Sequence, residues 1–165
     1  MRVHQYEDDH QVYRLDLGWP EPFVSNAYLV DDGEVTLIDS GYPYNQRSIQ
    51  DELGKAGYAV EDIDQVLLTH YDLDHVGGLS RIADELDAPI YMGRDDLELM
   101  QGDEDPPLLH HKGMFHRIAR EAYELPGSLE FRAVDDGEEL GGFTALHTPG
   151  HNPGHIAYIH EDTGA

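Results

Sequence analysis

Thr69-His70-Tyr71-Asp72-Leu73-Asp74-His75-Val76-Gly77-Gly78 places two imidazoles and two carboxylates within six residues. It directly follows Gln65-Val66-Leu67-Leu68, which reads as a buried strand. A second His-rich loop lies far downstream, His147-Thr148-Pro149-Gly150-His151-Asn152-Pro153-Gly154-His155. In an open α/β sheet, loops at the carboxyl ends of strands point side chains into the crevice where ligands bind. His70 and Asp72, two apart, can face the same way, and Asp74 and His75 can turn to a neighbouring position. Gly77-Gly78 lets the following backbone come close, and Pro149-Gly150 makes a tight turn that can fix His151. A lone His–Asp pair reads as a surface salt bridge. Four potential ligands in six residues, with a second His loop, read as two walls of a metal site. Imidazole and carboxylate without thiolate suit zinc, manganese or iron(II), with zinc the usual occupant of His-rich sites.

The 165 residues suffice for one domain with a real core, residues 1–165. No apolar run approaches the ~18 residues of a membrane span, and the N-terminus lacks a signal-peptide core, so the expectation is a cytoplasmic chain without a membrane partner. Cysteine is absent, which excludes disulfides and thiolate metal sites. The balance of 34 acidic to 10 basic residues gives a net charge of −24. Acidic clusters at Glu7-Asp8-Asp9, Asp31-Asp32, Asp95-Asp96, Asp103-Glu104-Asp105, Asp135-Asp136 and Glu138-Glu139 each read as a solvated turn or helix end. Together they resemble the surface of proteins from extreme halophiles, where salt screens self-repulsion. The same charge leaves no basic stripe to neutralise phosphates and argues against a nucleic-acid partner.

Strands are expected at 12–17, 26–30, 34–39, 65–69, 89–92, 129–134, 143–147 and 155–160. Asp31-Asp32-Gly33 is a hairpin turn. Asn45 could cap a helix running to Ala56, with Gly57 as its stop. Helical spacing of Val76, Leu79, Ile82, Ala83 and Leu86 predicts a helix from Val76 to Leu86. Asp95 to Met100 and His116 to Tyr123 read as shorter helices. Gly102, Pro106 and Pro107 break the pattern, so 102–127 reads as an insertion or lid. Hairpins, then βαβ, then strands make a mixed α/β layered domain. The turn at Glu161 to Gly164 has no strand returning beside 155–160. The expectation is a fold cut short at its C-terminus, with an open strand edge that invites self-association into a homo-oligomer.

The motif resembles the His-x-His-x-Asp-His signature of the metallo-β-lactamase fold hydrolases, and Thr148-Pro149-Gly150-His151 resembles that family's third ligand motif. Leu37-Ile38-Asp39-Ser40-Gly41 and Asn26-Ala27-Tyr28-Leu29 resemble the strands before the signature. The resemblance covers nearly the whole chain. It implies a four-layer αββα sandwich whose C-terminal part, with a bridging Asp and a final His, is absent here. By resemblance, His70, Asp72 and His151 would hold a first metal, and Asp74 and His75 would begin a second. Asp72 stands where the family usually has His; a carboxylate remains a competent ligand and favours harder ions such as Mn²⁺.

The resemblance implies hydrolysis of an ester, thioester or lactone-type bond in a small-molecule substrate, in the manner of glyoxalase II-like or lactonase-like members, with one or two divalent ions, zinc first and manganese or iron as alternatives. Asp74 is expected to orient the attacking water or accept its proton, with plain ligation as the alternative. Asp39 either supports a ligand imidazole from behind or is a strand-end turn carboxylate. His155 is expected beside the ligands, not among them. Tyr42 and Tyr71 read as packing beside the site. His110, His111 and His116 sit in the lid-like region, and His4, His10 and His160 read as surface. Two other functions compete: a degenerate, non-catalytic metal-binding fragment, and a mononuclear iron enzyme like the family's sulfur dioxygenases.

Overall fold

The structure is a computed structural model that describes residues 2–5, 11–18, 25–44, 47–102 and 125–161. Most of the lid-like segment, with its helix at 116–123 and its three histidines, lies outside the described residues, as do the side chains of His4 and His10.

Seven strands form one sheet in sequence order: β1 (Arg2–Gln5), β2 (Gln11–Asp16), β3 (Asn26–Asp31), β4 (Val35–Ile38), β5 (Gln65–Leu68), β6 (Ile90–Gly93) and β7 (Phe131–Val134). The first four are joined antiparallel and the last four parallel. The hairpin at Asp31-Asp32-Gly33 joins β3 to β4, with Gly33 at φ 107. A second sheet holds β8 (Glu139–Leu140), β9 (Phe143–His147) and β10 (Ile156–His160), all antiparallel.

Alternation along the strands sets the layers. In β5, Val66 and Leu68 join the core under the helices, with Leu15, Leu29, Leu37, Ile49, Leu53, Leu79, Ile82 and Met92. Leu67 points the other way and packs with Val30 and Val134 against Leu140, Phe143, Ala145 and Ile156 of the second sheet. β5 is therefore buried at all four positions, as its apolar run requires. Helices, sheet and second sheet make three described layers; Leu146 and Ile159, turned away from the inter-sheet core, are exposed.

Four sequence expectations need correction. Helix α1 (Ile49–Ala56) begins after Ser48, whose side chain accepts the Asp51 N–H, so Ser48 and not Asn45 is its cap; Gly57 ends it in the left-handed conformation as expected. The periodic stretch 76–86 is not one helix. A single turn, α2 (Leu73–Val76), passes into a 3-10 segment at Gly77–Arg81. The reason lies in the glycines, which give weak helix propensity and close packing. A Cβ on Gly78 would lie 2.0 Å from the Ser40 carbonyl oxygen, and one on Gly77 2.3 Å from Pro43. Asp96, in the first turn of α3 (Arg94–Gln101), is fully buried, so Asp95-Asp96 is not simply a solvated helix end. His160 is not a surface residue: it is buried, with Nε2 2.9 Å from Asp32 Oδ2 and its ring against Phe143.

Among the described residues no helix is long and apolar enough to cross a membrane.

Candidate metal centre

Two loops meet above the carboxyl end of β5. The first, 69–78, is stitched to the loop after β4: Ser40 gives both its backbone N–H and its hydroxyl to the His75 carbonyl, each at 2.7 Å, and Gly78 N–H bonds Gly41 O at 2.7 Å. Ser25 Oγ holds the Asp74 carbonyl at 2.7 Å. The second loop, 148–155, hangs from the second sheet. Ile156 N–H donates to Thr69 O at 2.8 Å, tying the start of β10 to the end of β5. Sequence-distant residues are thereby set face to face.

His70, Asp72 and His151 each offer a ligand atom, and these atoms lie within 4.8 Å of one another. Asp72 Oδ2 is 3.3 Å from His70 Nε2 and 3.2 Å from His151 Nε2. His70 and Asp72 are buried, whereas the His151 side chain is 54% exposed and forms the open rim.

Hydrogen bonds behind His70 fix its tautomer. Asp39, an acceptor only when ionised, takes the Thr69 backbone N–H at 2.9 Å and the Thr69 hydroxyl at 2.9 Å. With its one proton committed there, Thr69 Oγ1 accepts from His70 Nδ1–H at 2.9 Å. The His70 Nε2 lone pair then faces Asp72. That buried atom has no hydrogen-bond partner among the described residues. Two electron-rich atoms 3.3 Å apart repel unless a proton or a cation lies between them. Metal-ligating imidazoles characteristically show this arrangement, with the far nitrogen donating to a supporting acceptor. The three residues therefore fit a divalent ion both in donor chemistry and in the orphaned His70 nitrogen.

Asp39 does this from a left-handed backbone, φ 57, the one non-glycine residue with positive φ among those described. A short polar side chain tolerates that conformation, which is seen at sites under functional constraint. Asp39 Oδ2 also receives His75 Nδ1–H at 2.8 Å, so this carboxylate at the end of β4 is bonded to one imidazole directly and to a second through Thr69.

Asp74 and His75 lie beside the trio. The His75 ring centroid is 3.9 Å from that of His70, and His75 Nε2 is 3.5 Å from Asp74 Oδ2. Burial lowers the His75 pKa, but the carboxylates of Asp39 and Asp74 outweigh it and push it up to about 10. Burial raises the Asp74 carboxyl, but the bond and charge of His75 hold it below the usual range. Without a metal, a proton on His75 fills the position between these carboxylates. The His155 ring centroid is 5.1 Å from that of His70, and its Nδ1 is 2.8 Å from Thr148 Oγ1, so it packs beside His70 while bonded to Thr148. Burial, then the nearby His70 and His151, lower its pKa. Tyr71 belongs to the core, and Tyr42 is half-buried. Burial and then the charges of Asp74 and Asp72 raise the Tyr42 pKa.

The sequence reading missed Asp96 and Asn152. Both are fully buried beneath the two loops. Asp96 gives no sign of this in a chain crowded with acidic pairs. Asn152 lies inside the quoted loop, but only the fold reveals its neighbours.

Residues 20–165 match the sequence model of the Metallo-beta-lactamase superfamily. The chain is 32% identical over 170 residues to the uncharacterized protein YobT of Bacillus subtilis, covering 99% of this chain and 67% of that one. It is 28% identical over 148 residues to an N-acyl homoserine lactonase of a Bacillus species, covering 89% and 52%. Among solved structures, a protein crystallised in a di-iron-bound form shares 32% identity with a TM-score of 0.65, covering 90% of this chain and 66% of that one. The chain spans between half and two thirds of these relatives' lengths.

Proposed function

The chain belongs to the metallo-beta-lactamase superfamily, and from that premise we propose that it serves a metal-dependent hydrolase acting on an ester, thioester or lactone-type bond of a small molecule. The observation that carries this is the buried His70 Nε2, without a hydrogen-bond partner among the described residues and 3.3 Å from Asp72 Oδ2, with His151 at the rim. When bound there, a divalent ion supplies Lewis acidity and lowers the pKa of water to about 7.

The chain's own residues supply the rest. His70 and Asp72 would hold the ion from the closed side, and His151 from the open side. Thr69 and Asp39 keep His70 in the ligating tautomer. Asp74, 37% exposed and ionised at neutral pH, would orient an attacking water, a role that its exposure and charge support. Its lowered pKa makes it a weak base, better at aligning the water than at deprotonating it unaided. His75, bonded to Asp39 through Nδ1, would offer Nε2 to a second ion. Two nitrogens and a carboxylate oxygen suit zinc, manganese or iron(II). The similar protein solved with two irons supports including iron. The likeness to a lactonase supports a lactone or related ester as substrate class.

The test is elemental analysis of purified protein, followed by turnover of an ester, a thioester and a lactone with Zn²⁺, Mn²⁺ or Fe²⁺ added. Metal binding that His151→Ala removes, with turnover of one of the three bonds, supports the proposal. Metal content unchanged in both His70→Ala and His151→Ala would sink the ligand assignment.

A further inference from the structure

Beneath the ligands lies a layer of polar groups that the hydrolytic scheme does not use. Asp96 is fully buried, and no cationic side chain is paired with it in the hydrogen bonds described. A buried carboxylate needs compensation, and here three N–H groups supply it. Tyr71 N–H donates to Oδ2 at 2.7 Å, Gly154 N–H to Oδ1 at 2.8 Å, and Asn152 Nδ2 to Oδ2 at 3.2 Å. The first turn of α3 adds the favourable end of a helix dipole. Tyr71 sits between the ligands His70 and Asp72, and Gly154 follows His151 in the second loop. One carboxylate thus grips both ligand loops. The contact is tight: a Cβ on Gly154 would lie 2.3 Å from the Asp96 nitrogen, and one on Gly93 1.9 Å from the Gly154 carbonyl oxygen.

Asn152 completes the connection. Its side-chain nitrogen lies 3.3 Å from Asp72 Oδ1 and 3.2 Å from Asp96 Oδ2. Carboxylate oxygens only accept, so this end of the amide must be the NH₂ group, with one hydrogen for each partner. Asp72 is therefore held by Oδ1 while Oδ2 is turned to the two imidazoles.

We propose that Asp96 and Asn152 are positioning residues for the metal centre: Asn152 occupies Asp72 Oδ1 so that the ion is offered Oδ2 alone, and Asp96 fixes Asn152 and pins both ligand loops. This rests on the reading that His70, Asp72 and His151 hold a metal. A carboxylate limited to one oxygen favours the low coordination number of zinc. A carboxylate free to chelate suits harder ions that take more oxygen ligands.

The experiment measures Zn²⁺ and Mn²⁺ affinity by chelator competition, and the visible absorption of the Co²⁺-loaded protein, for wild type, Asn152→Ala and Asn152→Leu. The Leu variant keeps the volume and lacks the donor, so it covers the case in which Ala opens a void and the protein fails to fold. Melting in excess chelator reports the metal-free fold separately. Zn²⁺ binding in the variants is expected to weaken about 10- to 100-fold. Mn²⁺ should weaken less, and the Co²⁺ bands should lose intensity as coordination number rises. A drop in metal-free melting temperature with Zn²⁺ affinity and the Co²⁺ spectrum unmoved makes the pair a structural brace and overturns the proposal. Wild-type protein that binds neither Zn²⁺ nor Co²⁺ overturns the metal reading itself, a pattern distinct from wild type and variants binding alike.

Discussion

Thr69→Val isolates the step that orients His70. Valine keeps the branched shape and volume while deleting one oxygen. That oxygen donates to Asp39 at 2.9 Å and accepts from His70 Nδ1 at 2.9 Å. Asp39 retains the Thr69 backbone N–H and His75 Nδ1, so most of its partners survive. The loss falls on His70, whose ring is buried. An unsatisfied buried donor costs about 1–3 kcal/mol. The ring can escape by moving its proton to Nε2, but that blocks the ligating nitrogen. Either route weakens metal binding, by about 10- to 100-fold, as for other supporting partners of ligand imidazoles. That is about 1.4–2.8 kcal/mol. Chelator competition for Zn²⁺ on wild type, Thr69→Val and Thr69→Ser is the assay. The serine variant keeps the hydroxyl and should bind like wild type. Equal affinity in the valine variant would show that Thr69 does not set the His70 tautomer.

Gly78→Ala drives a Cβ to 2.0 Å from the Ser40 carbonyl oxygen and should destabilise by about 1–3 kcal/mol or more in urea unfolding, whereas Gly54→Ala, in α1 with open space around it, should stabilise by about 0.5–1 kcal/mol. Equal effects at the two positions, or no loss of stability in Gly78→Ala, would refute the packing account. In metal-free protein, His75 titrates with a pKa pushed up to about 10 from 6.5. Its stabilising contribution is therefore fully present below pH 6.5 and is lost as pH rises through about 10. An NMR titration in chelator that finds a midpoint near the ordinary histidine value contradicts this. With a net charge of −24, the melting temperature should rise between dilute buffer and molar KCl, where the Debye length is about 3 Å; a flat response would show that the acidic surface is not salt-adapted.

The central part of the fold was readable in the sequence because its signals are local. The run at 65–68 is apolar at three positions and buried at all four, and the Asp31-Asp32-Gly33 turn fixes the β3–β4 register. The stretch 76–86 misled because its apolar spacing is helical, while Gly77 and Gly78 serve a close approach to Pro43 and Ser40 that no periodicity reports. His160 and Asp96 misled for one shared reason. Their polar partners, Asp32 in the first case and Tyr71, Asn152 and Gly154 in the second, are distant in sequence, and a polar side chain without visible partners reads as solvent-facing.

That division has a physical consequence for the site. His70 and Asp72 come as one local unit with their support from Thr69, but His151 arrives only when the second sheet docks. The docking is the burial of Leu67, Val30 and Val134 against Phe143, Ala145 and Ile156, with the Ile156 N–H bond to Thr69 as its hinge at the site. His151 is thus brought to His70 and Asp72 by the same apolar contact that closes the two sheets. An unfolded chain holds no such trio, so on the proposed reading whatever free energy a metal gained from His151 would also be free energy of folding. Metal at 100 times its Kd would add about 2.7 kcal/mol to stability through this linkage. The coupling runs both ways. A cavity made between the sheets, as by Phe143→Ala outside the two loops, is expected to loosen His151 and lower metal affinity measured by chelator competition, while His151→Ala should leave the inter-sheet core packed and remove only the metal's share of the stability.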